Sequence, residues 1–258
     1  MTSPKPKLAI VLAGGLGARL RSVVSNVPKP MAPVQGRPFL ESLFYFWKNQ
    51  GINRFIFCVG YKSEFIIDHF GDSFDGCKIF YSIEDEPLGT GGAILKAVNQ
   101  FKPVEPLIII NGDTFFEVNL YELDKFAKIS KADWCFSLFK GDDNARYLPL
   151  TINLDGSLDL RLKKNVADDN DIKYNELNAY SNGGVYWVNP ASFKLLPFSA
   201  GEKISLEDEI FTKSRELGLR MCGLPFSEIF IDIGLPDDYI RAQEMKCFSG
   251  NYERKHES

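Results

Sequence analysis

Four short apolar runs, at residues 8–12, 55–59, 78–82 and 107–110, divide the first part of this chain. Between them the apolar residues recur at helical spacing. In 38–50 they are Leu40, Leu43, Phe44 and Trp47, and Gly51 ends the segment. Residues 63–70 and 89–101 read as two further helices, the second through Ala93, Ile94, Ala97 and Val98. Parallel strands need a crossover between them, so this alternation predicts a mixed, mostly parallel sheet with helices on both faces, an α/β fold. The run 107–110 is apolar throughout and is expected at the centre. Ligands of such sheets sit off the carboxyl ends of the strands. The glycine-rich stretch after residue 12, the segment 84–92 and Asn111-Gly112-Asp113 all follow strands, so they should converge on one crevice.

The second half carries weaker signals. Residues 134–139 read as a strand. Residues 151–153 and 158–160 flank Asp155-Gly156, a hairpin signal. The acidic stretch 166–176 is expected as a solvated loop or hairpin tip, because it lacks the later Gly and Glu of a calcium loop. Residues 182–188 read as a strand. Residues 206–217 read as a helix capped by Ser205, and Glu207-Asp208-Glu209 then suit its positive end. A strand at 229–233 and a last helix at 236–248 complete the reading. Between residues 23 and 33 the prolines oppose helix, so an irregular arm is expected there.

The chain of 258 residues shows no repeat or linker and is read as one domain. A first half spans about 1–120, a second about 121–248, and 249–258 form a frayed tail. Hydrophobic residues make up 45%, ample for a core, and the net charge of -4 gives no support for nucleic acid as a partner. The polar N-terminus precedes an apolar run far too short for a membrane span and carries no small-residue cleavage site, so a cytoplasmic protein is expected. The five cysteines form no C-x-x-C pair, which argues against zinc and against a disulfide framework. His69, beside Phe70 on a helix, is read as a packing or surface residue.

The segment Leu12-Ala13-Gly14-Gly15-Leu16-Gly17-Ala18-Arg19 leaves backbone N–H groups open to wrap phosphate oxygens. Arg19 adds a planar charged fork and Lys29, in Pro28-Lys29-Pro30, a mobile point charge. Together they suit a triphosphate. The loop is neither a dinucleotide fingerprint nor a Walker loop, since position 20 is Leu and no Gly-Lys-Ser/Thr follows.

This pattern resembles the signature of the sugar-phosphate nucleotidylyltransferases, the NDP-sugar pyrophosphorylases: Gly-Gly-x-Gly-Thr-Arg-Leu followed by Pro-Lys-Pro. Ala18 stands where that family usually has Thr. The resemblance runs from about residue 7 to about residue 248. It implies a Rossmann-like fold of the nucleotide-diphospho-sugar transferase type, catalytic roles for Arg19, Lys29 and Asp113, and nucleotide contacts from Leu12, Ala13, Gly14, Gly15, Gly17, Glu84, Leu88, Gly89 and Thr90. Asn182-Gly183-Gly184-Val185-Tyr186 is similar to the family's Asn-x-Gly-x-Tyr strand, which implies sugar contacts from Asn182 and Gly183. The family's Glu-Lys pair is reduced to its cation here, in Leu162-Lys163, so Lys163 is expected on the sugar phosphate. Within the family, Pro28-Lys29-Pro30-Met31-Ala32-Pro33 and the run from Glu86 to Ala93 most resemble the bacterial heptose 1-phosphate guanylyltransferases and their mannose 1-phosphate relatives.

Asp232 interrupts an apolar run, Phe230-Ile231-Asp232-Ile233, where an unpaired charge is costly. It needs a partner. Asp113, also just past an apolar strand, could share one Mg²⁺ with it, and the resemblance implies that both are metal ligands. Asp113 on its own would also pass for a turn residue. The reaction so implied joins an NTP and a sugar 1-phosphate, with pyrophosphate released. GTP is the expected nucleotide because Glu84, five residues before Gly89, can accept from both N1–H and the N2 amino group of guanine. Heptose 1-phosphate is the expected sugar. Mannose 1-phosphate or another hexose 1-phosphate, and a catalytically weak sensing paralogue, are the alternatives. A glycosyltransferase is disfavoured by the lack of an Asp-x-Asp motif at Asn111-Gly112-Asp113. A homodimer is left open.

Overall fold

Strand β1 (Leu8–Leu12) sits in the middle of the molecule because both of its faces are apolar. Ala9 and Val11 pack into one core, and Leu8 and Ile10 into another on the opposite face of the sheet. The computed structural model describes residues 5–15, 24, 26–140, 149–153, 156–160 and 179–249. After β1 come a 3₁₀ turn at Lys29–Met31, the hairpin strands β2 (Pro33–Val34) and β3 (Arg37–Pro38), and helix α1 (Phe39–Asn49). Next follow β4 (Arg54–Val59), α2 (Ser63–Phe70), β5 (Ser73–Phe74), β6 (Cys77–Ile83), α3 (Gly89–Phe101) and β7 (Leu107–Asn111). The spine β7-β1-β4-β6 is parallel throughout, with Ala9 opposite both Ile108 and Phe55. Here the alternation read from the sequence is what the structure contains.

The remaining elements turn the sheet mixed. They are β8 (Thr114–Phe116), α4 (Leu120–Ile129), β9 (Trp134–Phe139), β10 (Pro149–Ile152), β11 (Leu158–Leu160) and β12 (Ala179–Val188). A π turn at Leu206–Ile210, α5 (Phe211–Glu216), β13 (Met221–Pro225), β14 (Phe230–Asp232) and α6 (Pro236–Ala242) complete the order. Strand β12 runs antiparallel to β7 and carries the sheet on to β10 and β11, while β9 pairs with β12 and β13. One core holds Phe39, Phe44, Trp47, Phe55 and Phe57 under α1 and α2. The other holds Ile94, Trp134, Phe136, Tyr186 and Phe211 under α3 and α5. Among the described residues no helix is long and apolar enough to cross a membrane.

Several sequence expectations change. The arm before residue 34 contains a 3₁₀ turn and leads into a hairpin closed by Gln35 (φ 50°) and Gly36 (φ 82°), the left-handed pair of a two-residue turn. That turn reaches across to the C-terminal elements. Gln35 N–H donates to Gln243 Oε1 at 2.9 Å, and Gln35 Nε2 donates to the Met245 carbonyl at 2.7 Å. These contacts accompany the early end of the last helix. It stops at Ala242, and the N–H groups of Gln243, Glu244 and Met245 bond three residues back. The helix expected at 206–217 is also interrupted, because the N–H of Ile210 bonds the Ser205 carbonyl five residues back. Ser205 does cap it, accepting from the Asp208 N–H at 3.1 Å. Helix α4 and strands β8 and β13 add to the elements expected from the sequence.

Candidate active site

The carboxyl ends of β1, β6 and β7 open on one cleft of about 270 Å³. Leu12, Ala13, Gly14 and Gly15 line it from the glycine loop, Lys29 and Pro30 from the arm, Glu84, Gly89 and Thr90 from the segment after β6, and Asn111 and Asp113 from the turn after β7. The three segments read as convergent therefore meet. The turn after β7 is tied to the glycine loop by the Gly112 N–H, which donates to the Leu12 carbonyl at 2.9 Å. Gly17, Arg19 and Lys163 lie outside the described residues.

Asp113 and Asp232 are far apart in sequence but adjacent in space. Antiparallel pairing of β8 with β14 sets Thr114 opposite Asp232. The Ile233 N–H then donates to the Asp113 carbonyl at 3.0 Å. The Lys29 ammonium stands between the two carboxylates, 2.5 Å from Asp113 Oδ2 and 3.5 Å from Asp232 Oδ1. Asp232 Oδ1 also accepts from the Gly234 N–H at 2.8 Å. A side chain at position 234 would run into the ammonium, so glycine makes room for it there. The charge of Asp232 in an apolar strand thus has the partner it needs. Both carboxylates converge on one cation position. Among the described residues no third His, Cys, Asp or Glu joins them. Two carboxylates make too few ligands for a zinc or calcium cage, but they suit Mg²⁺, which completes its shell with phosphate oxygens and water.

At the other side of the glycine loop, Glu84 leans on Gly14. A Cβ on Gly14 would lie 2.6 Å from Glu84 Oε1, so a larger residue there would displace the carboxylate. Glu84 Oε2 accepts from the Leu88 N–H at 2.9 Å. Burial pushes the Glu84 carboxyl above the ordinary carboxylate range, with the Leu88 N–H and the Lys96 charge pulling the other way. Leu88 itself is not in the cleft lining. Its N–H is held by Glu84 and its carbonyl accepts from the Ile204 N–H at 2.8 Å. The N–H groups of Gly91 and Gly92, at the head of α3, go to the Ile204 carbonyl at 2.9 and 3.1 Å. The head of this helix is therefore closed by the chain before the π turn. The Thr90 hydroxyl accepts from the Leu206 N–H at 3.0 Å.

On β12, Asn182 and Gly183 are held by their surroundings. Asn182 Nδ2 donates to the Tyr186 hydroxyl at 2.7 Å, and Asn182 Oδ1 accepts from the Gly184 N–H at 3.1 Å. Gly183 packs against the Phe116 ring. Gly184 abuts the Asn111 amide, so β12 adjoins the cleft next to β7. His69 is remote from the cleft lining and pairs with Glu41 at 2.9 Å. The five cysteines are free thiols, four of them buried.

Residues 8–148 match the family model described as nucleotidyl transferase. The chain is similar to the D-glycero-alpha-D-manno-heptose 1-phosphate guanylyltransferase of Aneurinibacillus thermoaerophilus, at 42% identity over 236 residues, 92% of this chain and 96% of the relative. It is 39% identical to the protein of the same name from Campylobacter jejuni, over 90% of this chain and 96% of that one. Among solved structures it is similar to HddC from Yersinia pseudotuberculosis complexed with GMP-PN, with a TM-score of 0.74 and 32% identity over 92% of this chain and 98% of that one.

Proposed function

Because the chain belongs to the nucleotidyl transferase family, we propose that it transfers GMP from GTP to D-glycero-α-D-manno-heptose 1-phosphate and releases pyrophosphate. One observation carries the reading: the identity to heptose 1-phosphate guanylyltransferases extends over nearly the full length of both chains. An oxygen of the sugar phosphate, already ionised at neutral pH, attacks the α-phosphorus of GTP. The bond from that phosphorus to the bridging oxygen breaks, and its electron pair leaves with pyrophosphate. No proton has to move, so the site needs charge neutralisation and alignment more than a base. Among the described residues the cleft lining contains no histidine.

Lys29 is the cation of the described cleft placed to serve the phosphates. Arg19 is assigned to the β- and γ-phosphates on the sequence alone. Asp113 and Asp232 would hold Mg²⁺, which supplies neutralisation of the attacking and leaving phosphate oxygens. Glu84 would accept from N1–H and the N2 amino group of guanine. Its carboxylate is already aimed by the Leu88 N–H, and two charge-assisted bonds of this kind discriminate by about 2 kcal/mol or more. GTP supply makes the cytoplasm the compartment of the reaction.

The test is pyrophosphate release from GTP, ATP, CTP, UTP and dTTP with heptose, mannose and glucose 1-phosphates. GTP with heptose 1-phosphate should give the highest kcat/KM, at least tenfold above the other nucleotides. A preference for UTP or dTTP overturns the guanine assignment. A preference for mannose 1-phosphate moves the sugar assignment to the hexose. No release with any pair overturns the transferase reading.

A further inference from the structure

Glu207, Asp208 and Glu209 stand in a row at the start of the π turn, where any acid would suit the helix end. The structure separates them. Glu209 Oε2 accepts from the Ser205 N–H at 2.7 Å, and Asp208 Oδ2 accepts from the Ser205 hydroxyl at 3.2 Å. Both side chains are exposed and both serve the cap. Glu207 turns the other way and is half-buried. Its Oε2 accepts from the Thr90 hydroxyl at 3.4 Å, a long bond, and Thr90 lines the cleft. Tyr186, fully buried on β12, feels the Glu207 charge, and its hydroxyl accepts from Asn182. Burial raises the Glu207 carboxyl above its ordinary range, and no cation pairs with it among the described residues.

The position relative to the rest of the cleft is specific. Glu84 leans on Gly14 and Gly60, which follow β1 and β4. Glu207 lies by Tyr186 of β12, on the far side of β7 from β1. Lys29 and Asp113 line the cleft from the arm and from the turn after β7. A nucleotide with its base at Glu84 and its phosphates at Lys29 therefore leaves the Glu207 side for whatever is joined to the α-phosphate. A carboxylate with no cation beside it among the described residues repels phosphate, so the group that meets it is uncharged and rich in donors. A sugar ring is such a group, since neighbouring hydroxyls can donate to both carboxylate oxygens. Without a donor ligand, a half-buried charge held, among the described residues, by its own backbone N–H and one long hydroxyl bond is a net cost.

We propose that Glu207 is a specificity residue of the acceptor sugar, taking hydroxyl hydrogens from the ring while Thr90 and Asn182 flank it. This rests on the transferase reading above.

Glu207→Gln keeps the shape and an oxygen acceptor for Thr90, so a residue that merely clamps Thr90 should tolerate it. KM for the sugar 1-phosphate should rise about tenfold or more, while KM for GTP stays within about twofold. Monodeoxy analogues of the sugar 1-phosphate sharpen the result. At one ring position, removing the hydroxyl should weaken the wild type and leave Glu207→Gln no worse. Equal rises in both KM values, unchanged kinetics, or additive losses at every ring position would overturn the proposal while the transferase reading stands. If the wild type releases no pyrophosphate with any sugar, the transferase reading falls by itself. Calorimetric titration of the same sugar phosphates then still decides Glu207: weaker binding by the variant supports it, and equal or absent binding by both proteins overturns it.

Discussion

Around Lys29 opposite charges are paired, and at Glu84 and Glu207, the residues proposed to read the base and the sugar, they are not. Lys29 bridges Asp113 and Asp232. Glu84 and Glu207 are both half-buried, both pushed up by burial, and neither is in an ion pair among the described residues. A carboxylate next to an ammonium is stable without a ligand. A carboxylate left with an N–H and at most a distant hydroxyl is stabilised by what binds. On the proposed assignments, the difference separates a phosphate site whose charges are paired in advance from two sites that select donors on a base and a sugar.

The largest effect should come from the paired side. Excess chelator should take turnover to background and Mg²⁺ should restore it, because two carboxylates and three phosphates cannot share the cleft on Lys29 alone. Full activity in chelator would refute the metal assignment. Lys29→Ala should follow, with turnover down by roughly 10²-fold or more, about 3 kcal/mol of transition-state stabilisation. The same variant leaves Asp113 and Asp232 facing each other, so its Tm should fall as well. Near-wild-type kinetics would remove Lys29 from the phosphate site and erase the contrast.

Next comes Glu84. Glu84→Gln should lower the preference for GTP over UTP by about tenfold, mainly by raising KM for GTP, since an amide offers one acceptor oxygen and a donor where guanine presents two donors. In the wild type, KM for GTP should also rise as pH falls, because the raised carboxyl takes up its proton earlier than an ordinary Glu would. A flat KM across mildly acidic pH, with unchanged selectivity in the variant, would show that Glu84 does not read the base.

The parallel spine was legible because its strands are buried on both faces and its helices keep their period. Helix α4 carried the same marks, with Leu120, Leu123 and Ala127 on one side and Asn119 accepting from the Tyr121 and Glu122 N–H groups at 3.0 and 3.2 Å. Its signal is as local as that of the other helices. Strand β13 is harder, since Gly223 and Pro225 oppose a strand and non-local pairing, chiefly with β9, holds them in one. Asp232 could be read as needing a partner, but its partner Lys29 could not be named, because the β8–β14 pairing that brings Asp232 to Asp113 leaves no local trace. Glu207 was read as one of three helix-end acids. Local rules treat the three alike, and only the packing of the π turn against Thr90 and Tyr186 singles one out.

The smallest effect is a test of sign. The folded carboxyl of Glu207 lies above its unfolded value, so between the two the native state holds more protons than the unfolded one. Stability tied to this group is therefore full below the unfolded pKa and is lost as pH rises through the folded pKa. Glu207→Gln has no proton to lose. Without ligand it should match or exceed the wild type at neutral pH by of order 1 kcal/mol, the scale of an under-satisfied buried group, a gain of a few degrees at most. The two Tm curves should converge as pH falls and the wild-type carboxyl becomes neutral. Lys29→Ala should move Tm the opposite way at neutral pH, since it strips the cation from carboxylates that remain charged. If Glu207→Gln were instead the less stable protein at neutral pH, Glu207 would belong with the paired residues as part of the scaffold, and the division between a self-satisfied phosphate side and ligand-dependent recognition sides would fail at the sugar.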